Sequence, residues 1–140
     1  GDKNCIIDIP KPNYFQPSTF GSMEIKQHEG SENIGQALDK MVKVEQVALD
    51  SLPIARLDFL KIDVEGMEFE ALAGAEKVIE KYKPQMLIEV IKIDKEKMRE
   101  KLHNMGYHVY VFGGNFFAVH KSDIMASKCS TDDEGNLRIG

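Results

Sequence analysis

Residues 57–64, LDFLKIDV, place Leu57, Phe59, Leu60, Ile62 and Val64 in one near-continuous apolar run, which Gly66 ends. A strand apolar on both faces has to be covered on both faces, as strands inside a parallel sheet are. The next segment spaces Leu72, Ala75, Val78 or Ile79, and Tyr82 by threes and fours, the period of a helix that buries one stripe, and Pro84 follows its end. Residues 86–91, MLIEVI, form a second buried run. A second helix then follows, with Asp94 as its N-cap, Lys97 where a capping box would need glutamate, Met98, Leu102 and Met105 as its apolar face, and Gly106 as a left-handed stop. Buried strands alternating with helices predict parallel neighbours joined by right-handed crossovers.

The flanking regions carry weaker patterns. Near the N-terminus, NCIIDIP reads as a short strand stopped by Pro10, and KPNYFQPSTFGS is loop chemistry. Residues 43–49, KVEQVAL, form another strand candidate, without strict alternation. YHVYVF and NFFAVHK, joined by Gly113-Gly114, read as an antiparallel hairpin that closes the sheet and puts one antiparallel strand on its edge. Residues 122–140 are polar and read mostly as a loose tail. The chain thus divides into a loop-rich segment, 1–42, an α/β core, 43–121, and a polar tail, 122–140.

At 140 residues the chain is one domain's worth, with 42% hydrophobic and 29% charged residues. The net charge of −5 argues against a nucleic-acid partner, whose phosphates select basic faces. No apolar run reaches the length of a membrane span and no signal peptide is present, which predicts a cytoplasmic protein. Cys5 and Cys129 lie at opposite ends of the chain without ligand spacing. Two free thiols in a reducing compartment are expected, with a disulfide between them as the alternative. The first residue is Gly1 rather than Met, as in a chain whose start has been processed or trimmed away.

In open α/β sheets ligands bind beyond the C-terminal ends of the strands. Asp63 and Glu65 close the first clear strand, on one face while the backbone stays extended, and Gly66 lets the chain turn there. Glu89 lies inside or near the end of the second strand. Acids at a strand mouth can accept a proton, hold a hydroxyl or amine, or bind a hard cation. The structural alternatives are that Asp63 and Glu65 cap the following helix and that Glu89 pairs with Lys61 across the sheet. His28, His103, His108 and His120 show no metal-ligand spacing, so no metal site is expected; His103 should be exposed, and His108 and His120 could be cross-strand neighbours. Ser18 and Ser22 lack a base or a nucleophile elbow. Neither GxGxxG nor GxxxxGK[ST] occurs.

Residues 49–91, LDSLPIARLDFLKIDVEGMEFEALAGAEKVIEKYKPQMLIEVI, closely resemble the FkbM family of methyltransferases. The shared elements, in order, are Leu49-Asp50, the run from Lys61 to Gly66 with Glu68, the Leu72-to-Ala75 stretch, and the strand acid Glu89. The resemblance continues more loosely to about residue 121, and the PKPNYFQPSTFGS stretch is similar to the variable loop before the Leu-Asp element. It implies a Rossmann-like class I methyltransferase fold, of which this chain would be the C-terminal half: parallel strands with a terminal antiparallel hairpin. It further implies S-adenosylmethionine as cofactor and a hydroxyl of a small molecule or sugar as methyl acceptor. Asp63 and Glu65 would be catalytic, Asp63 and Gly66 would bind cofactor, and Glu68 and Glu89 would bind substrate. The chain departs from the family in lacking the glycine-rich turn after the first strand and the acid after the second, which puts free-standing activity in doubt. It also has Ile91-Lys92 where many relatives carry a histidine nearby.

Two other functions compete. A non-catalytic binding or assembly module would use the sheet edge left open beside residues 57–64 for self-association, unless strand 43–49 covers it. A phosphatase reading of the haloacid-dehalogenase kind rests on a superficial likeness of FLKIDVEG to a D-x-D strand end, and ranks last because the second position is Glu65.

Overall fold

The computed structural model describes residues 1–11 and 41–140. Ser18, Ser22, His28 and most of the N-terminal loop lie outside the described residues. The central sheet has four strands: β3 (Phe59–Ile62), β4 (Gln85–Glu89), β5 (Tyr107–Phe112) and β6 (Asn115–His120), in the order β3-β4-β6-β5. β3 and β4 are parallel, with Ile62 opposite Ile88, as their apolar runs predict. The Gly-Gly hairpin also forms: Phe112 faces Asn115, and Gly113 takes the positive φ of 60° that the tight turn needs. The antiparallel strand is not at the edge, however. β6 runs antiparallel to β4 and sits inside the sheet, leaving β5 outermost. The reason is in the sequence of β6, where Phe116, Ala118, Val119 and His120 are all buried, while Phe112 of β5 is exposed. The sheet is therefore mixed, with one parallel and two antiparallel pairings within an α/β architecture.

The expected first helix is two helices, α1 (Glu68–Ala73) and α2 (Glu76–Tyr82), broken at Gly74 and Ala75. The break is held from outside. Asp50 N–H donates to the Gly74 carbonyl at 2.8 Å, and the Asp50 carboxylate accepts from the Lys77 and Val78 amides at 3.0 and 2.9 Å. Those amides would otherwise be orphans at the start of α2, whose own N-cap, Ala75, offers no side chain. The third helix, α3 (Lys95–Asn104), is capped as read: Asp94 accepts from Lys97 N–H at 3.1 Å, and Gly106 follows with φ 86°. Leu72, Ile79, Met98 and Leu102 from the helices bury against Met86, Ile88 and Phe116 of the sheet in one core.

The first strand, β1 (Cys5–Pro10), pairs antiparallel with β2 (Met41–Gln46) in a separate two-stranded ribbon. The expected strand 43–49 is thus displaced toward the N-terminus, and it does not cover β3. The polar C-terminal stretch is structured: a 3-10 turn at Ile124–Ser127 precedes a small hairpin of β7 (Cys129–Thr131) and β8 (Leu137–Ile139). Asp132 makes its turn by accepting from the Glu134 and Asn136 amides, with Gly135 at φ 83°. Both cysteines are free thiols. No helix among the described residues is long and apolar enough to cross a membrane.

Candidate functional site

β3 and β4 are parallel and in register, so their C-terminal ends lie side by side. Asp63 follows the last residue of β3 and Glu89 is the last residue of β4. Ordered strand stops at Ile62. Asp63 and Glu65 are therefore not held on one face by an extended backbone; the turn divides them. Glu65 itself adopts φ 53°, followed by Gly66 at φ 93°. A left-handed glutamate is uncommon and costs about 1–3 kcal/mol unless its surroundings hold it there.

Glu68 is part of that hold. Its side chain is only 1% exposed, and Oε1 accepts from the amides of Val64 and Gly66 at 3.1 and 3.2 Å. This first-turn acid of α1 clasps the turn that precedes it. Oε2 is buried without a hydrogen-bond partner. Buried carboxylate oxygens are rarely left so, and such an atom suits a donor or cation supplied by something bound.

The other acids are paired or crowded. Asp63 accepts from Lys61 Nζ at 2.6 Å, and this pairing raises the Lys61 pKa. Glu65 reaches across to Lys92, beyond β4, at 2.8 Å, tying the two strand-end loops together. Glu89 does not take Lys61 as its ion-pair partner, although its charge acts on it. Its pKa is pushed up, first by burial and then by the charges of Asp63, Glu65 and Glu68, with Lys92 pulling the other way. Four carboxyl groups thus converge on one sheet end. Among the described residues no group of three or more His, Cys, Asp or Glu is placed to hold a metal ion.

Beside Glu65 opens a pocket of about 360 Å³ between the β1–β2 ribbon and the turn, walled mainly by Ile7, Val47, Val64, Met67 and Ala71. That volume lies in the range of small-molecule sites. The ribbon's part in this wall was not readable from the sequence, because nothing local in β1 specifies what it packs against. Asp50 was visible only as part of the Leu-Asp element; its clamp on α2 spans a sequence separation of 28 residues. His103 is exposed, as read. His120 faces Tyr107 rather than His108, which stands opposite Val119.

The charge distribution suits a cationic ligand: an excess of carboxylates, one raised in pKa by burial and then by the others, and an orphaned buried oxygen. A nucleoside would need more, and among the described residues no strand, glycine-rich turn and helix follow one another to cradle it. Compared with known families, residues 2–109 match the model of the methyltransferase FkbM domain. No curated protein and no solved structure matches the chain.

Proposed function

The chain belongs to the methyltransferase FkbM domain family, and from that premise we propose that it supplies the acceptor-side part of an S-adenosylmethionine-dependent O-methyltransferase. The carrying observation is the convergence of Asp63, Glu65 and Glu89 at the ends of two parallel strands, with Glu68 clasping the turn between them, all inside the matched region. The fold reading that goes with it is the C-terminal half of a Rossmann-like class I methyltransferase. Residues 43–121 are its core, 1–42 a loop-rich lead-in and 122–140 a polar extension. The order β3-β4-β6-β5, with an antiparallel strand inserted before the last, supports that reading.

S-adenosylmethionine, when bound, supplies the methyl group. Asp63 and Gly66 are the residues we assign to its cationic end. Asp63 or Glu65 takes the proton from, or orients, the acceptor hydroxyl, which is worth roughly 10²–10⁴ in rate for general-base help. Glu89, with its raised pKa, hydrogen-bonds the acceptor, and Glu68 serves the same site by fixing the Val64 and Gly66 amides. The apolar pocket beside Glu65 receives the body of a small molecule or sugar that carries the hydroxyl. The free thiols accord with a cytoplasmic location, and the acidic surface gives no footing for nucleic acid.

The test is transfer of labelled methyl from S-adenosylmethionine to a panel of hydroxyl acceptors. Asp63→Asn should cut turnover far more than it lowers Tm. Unchanged turnover would leave Asp63 as a partner for Lys61 only. A second reading, a non-catalytic module that self-associates, rests on β3, which has β4 as its one strand neighbour among the described residues.

A further inference from the structure

We propose that a second ligand site lies at the opposite end of the sheet, in the pocket between α2, the end of α3 and the start of β5, and that it takes a small molecule through a carboxylate or phosphate group. The pocket measures about 380 Å³, and Glu76, Lys83, Asn104, Tyr107 and His120 stand in its wall. Tyr107 and His120 face one another across the β5–β6 pair at the end of the sheet away from Glu89, which faces Asn115.

The side chains there offer hydrogen-bond donors. Tyr107 is only 3% exposed, and its hydroxyl is buried with no hydrogen-bond partner. Burial pushes its pKa far up, so the phenol keeps its proton and remains a donor. His120 is 6% exposed, and its Nδ1 accepts from the Ser122 amide at 3.1 Å, with Ser122 Oγ at 2.8 Å. An Nδ1 that accepts from a backbone N–H leaves the neutral ring's proton on Nε2. Nε2 lies beside Gly106, where an added methyl would come within 3.1 Å of it. The Tyr107 and His120 rings meet edge to face at 5.2 Å, which fixes both. Lys83, held at φ 50° just past α2, and the Asn104 amide add a cation and a further donor.

Two of the three nearby acids are already engaged. Glu76 is paired with Lys101 at 2.7 Å, and Asp123 accepts from the Met125 amide and the Gln85 side chain. Glu80 stands exposed on the rim. Burial, then Lys83 and Lys121, with a smaller push from His108, hold the His120 pKa below its ordinary value, against Asp123. A bound oxyanion would offset the cations and raise it. A buried hydroxyl without an acceptor, beside a lysine, is what a carboxylate or phosphate satisfies.

The test uses the purified chain at constant ionic strength, titrated separately with inorganic phosphate and with acetate. The His120 ring resonance is followed by NMR. A saturable shift with a rise in the His120 pKa is expected, and the anion that binds tighter identifies the head group. Tyr107→Phe and Lys83→Gly should each weaken binding by about tenfold or more, the loss of one hydrogen bond to a charged group. Lys83→Gly also suits the left-handed backbone there, so lost folding would not mimic lost binding. No saturable shift with either anion, or a shift unchanged in both variants, would overturn the site.

Discussion

Glu89 concentrates the electrostatic conflict of the strand-end site. It is drawn up by burial and by three neighbouring carboxylates, and Lys92 offsets them only partly. A carboxyl whose folded pKa exceeds its unfolded one binds its proton more tightly in the native state. Its penalty is therefore absent below the unfolded value and grows as pH rises toward and through the raised folded value. Glu89→Gln should accordingly have the parent's Tm in acid and a higher Tm at neutral pH, with the gap opening across that window. Thermal melts over a pH series would show it, and a pH-independent gap would assign the effect elsewhere. Glu68 acts through structure instead, because its carboxylate is committed to the turn. Glu68→Ala should cost about 2–3 kcal/mol, from two lost hydrogen bonds and a small cavity. Glu68→Gln, which keeps an accepting oxygen, should cost clearly less in the same denaturant titration. The acids were legible as a cluster because they sit at ends of apolar runs. Glu68's burial was not, since one residue of helical phase decides it and the strand's end at Ile62 sets that phase.

The elements read most clearly were those whose cause is local. The runs of β3 and β4, the Asp94 cap and the Gly113-Gly114 turn each follow from residues within one short window. The break between α1 and α2 has a remote cause: the apolar stripe runs through Gly74, and only Asp50, brought in by the chain before β3, takes the amides that start α2. The ribbon pairing of β1 with β2 was missed for the same reason. The C-terminal hairpin is another matter, because Asp132 and Gly135 are turn residues in plain view; its strands are three residues each, too short and polar to show a period. The remote clamp gives a sharp expectation. Asp50→Ala should destabilise by about 1–2 kcal/mol, as lost caps do. Amides of α2 should gain hydrogen exchange before those of α3, which keeps its own cap. Uniform loss of protection across both helices would show that Asp50 supports the whole core and not α2 in particular.

At the scale of the whole molecule, the sheet has an edge with no neighbouring strand among the described residues. β3 pairs with β4 alone among the described residues, and Phe59 on it is 50% exposed. Bare edges of this kind recruit strands. Concentration-dependent self-association is therefore expected in light scattering, and Phe59→Lys should weaken it; a monomer at every concentration would argue against the edge as an interface. The same openness bears on the cofactor. On the proposed reading, the strand-end carboxylates would meet the cationic end of S-adenosylmethionine, while among the described residues no glycine turn at a helix N-terminus serves the remainder. Forgoing two or three hydrogen bonds to charged groups, at roughly 1.5–3 kcal/mol each, weakens affinity by several orders of magnitude. Calorimetric titration of this chain with S-adenosylmethionine should give binding that is weak or undetectable. Glu68→Ala, by loosening the turn that carries Asp63 and Gly66, should weaken whatever binding there is. Micromolar binding by the 140-residue chain itself would mean that the strand-end acids and the ribbon pocket suffice to hold the whole cofactor.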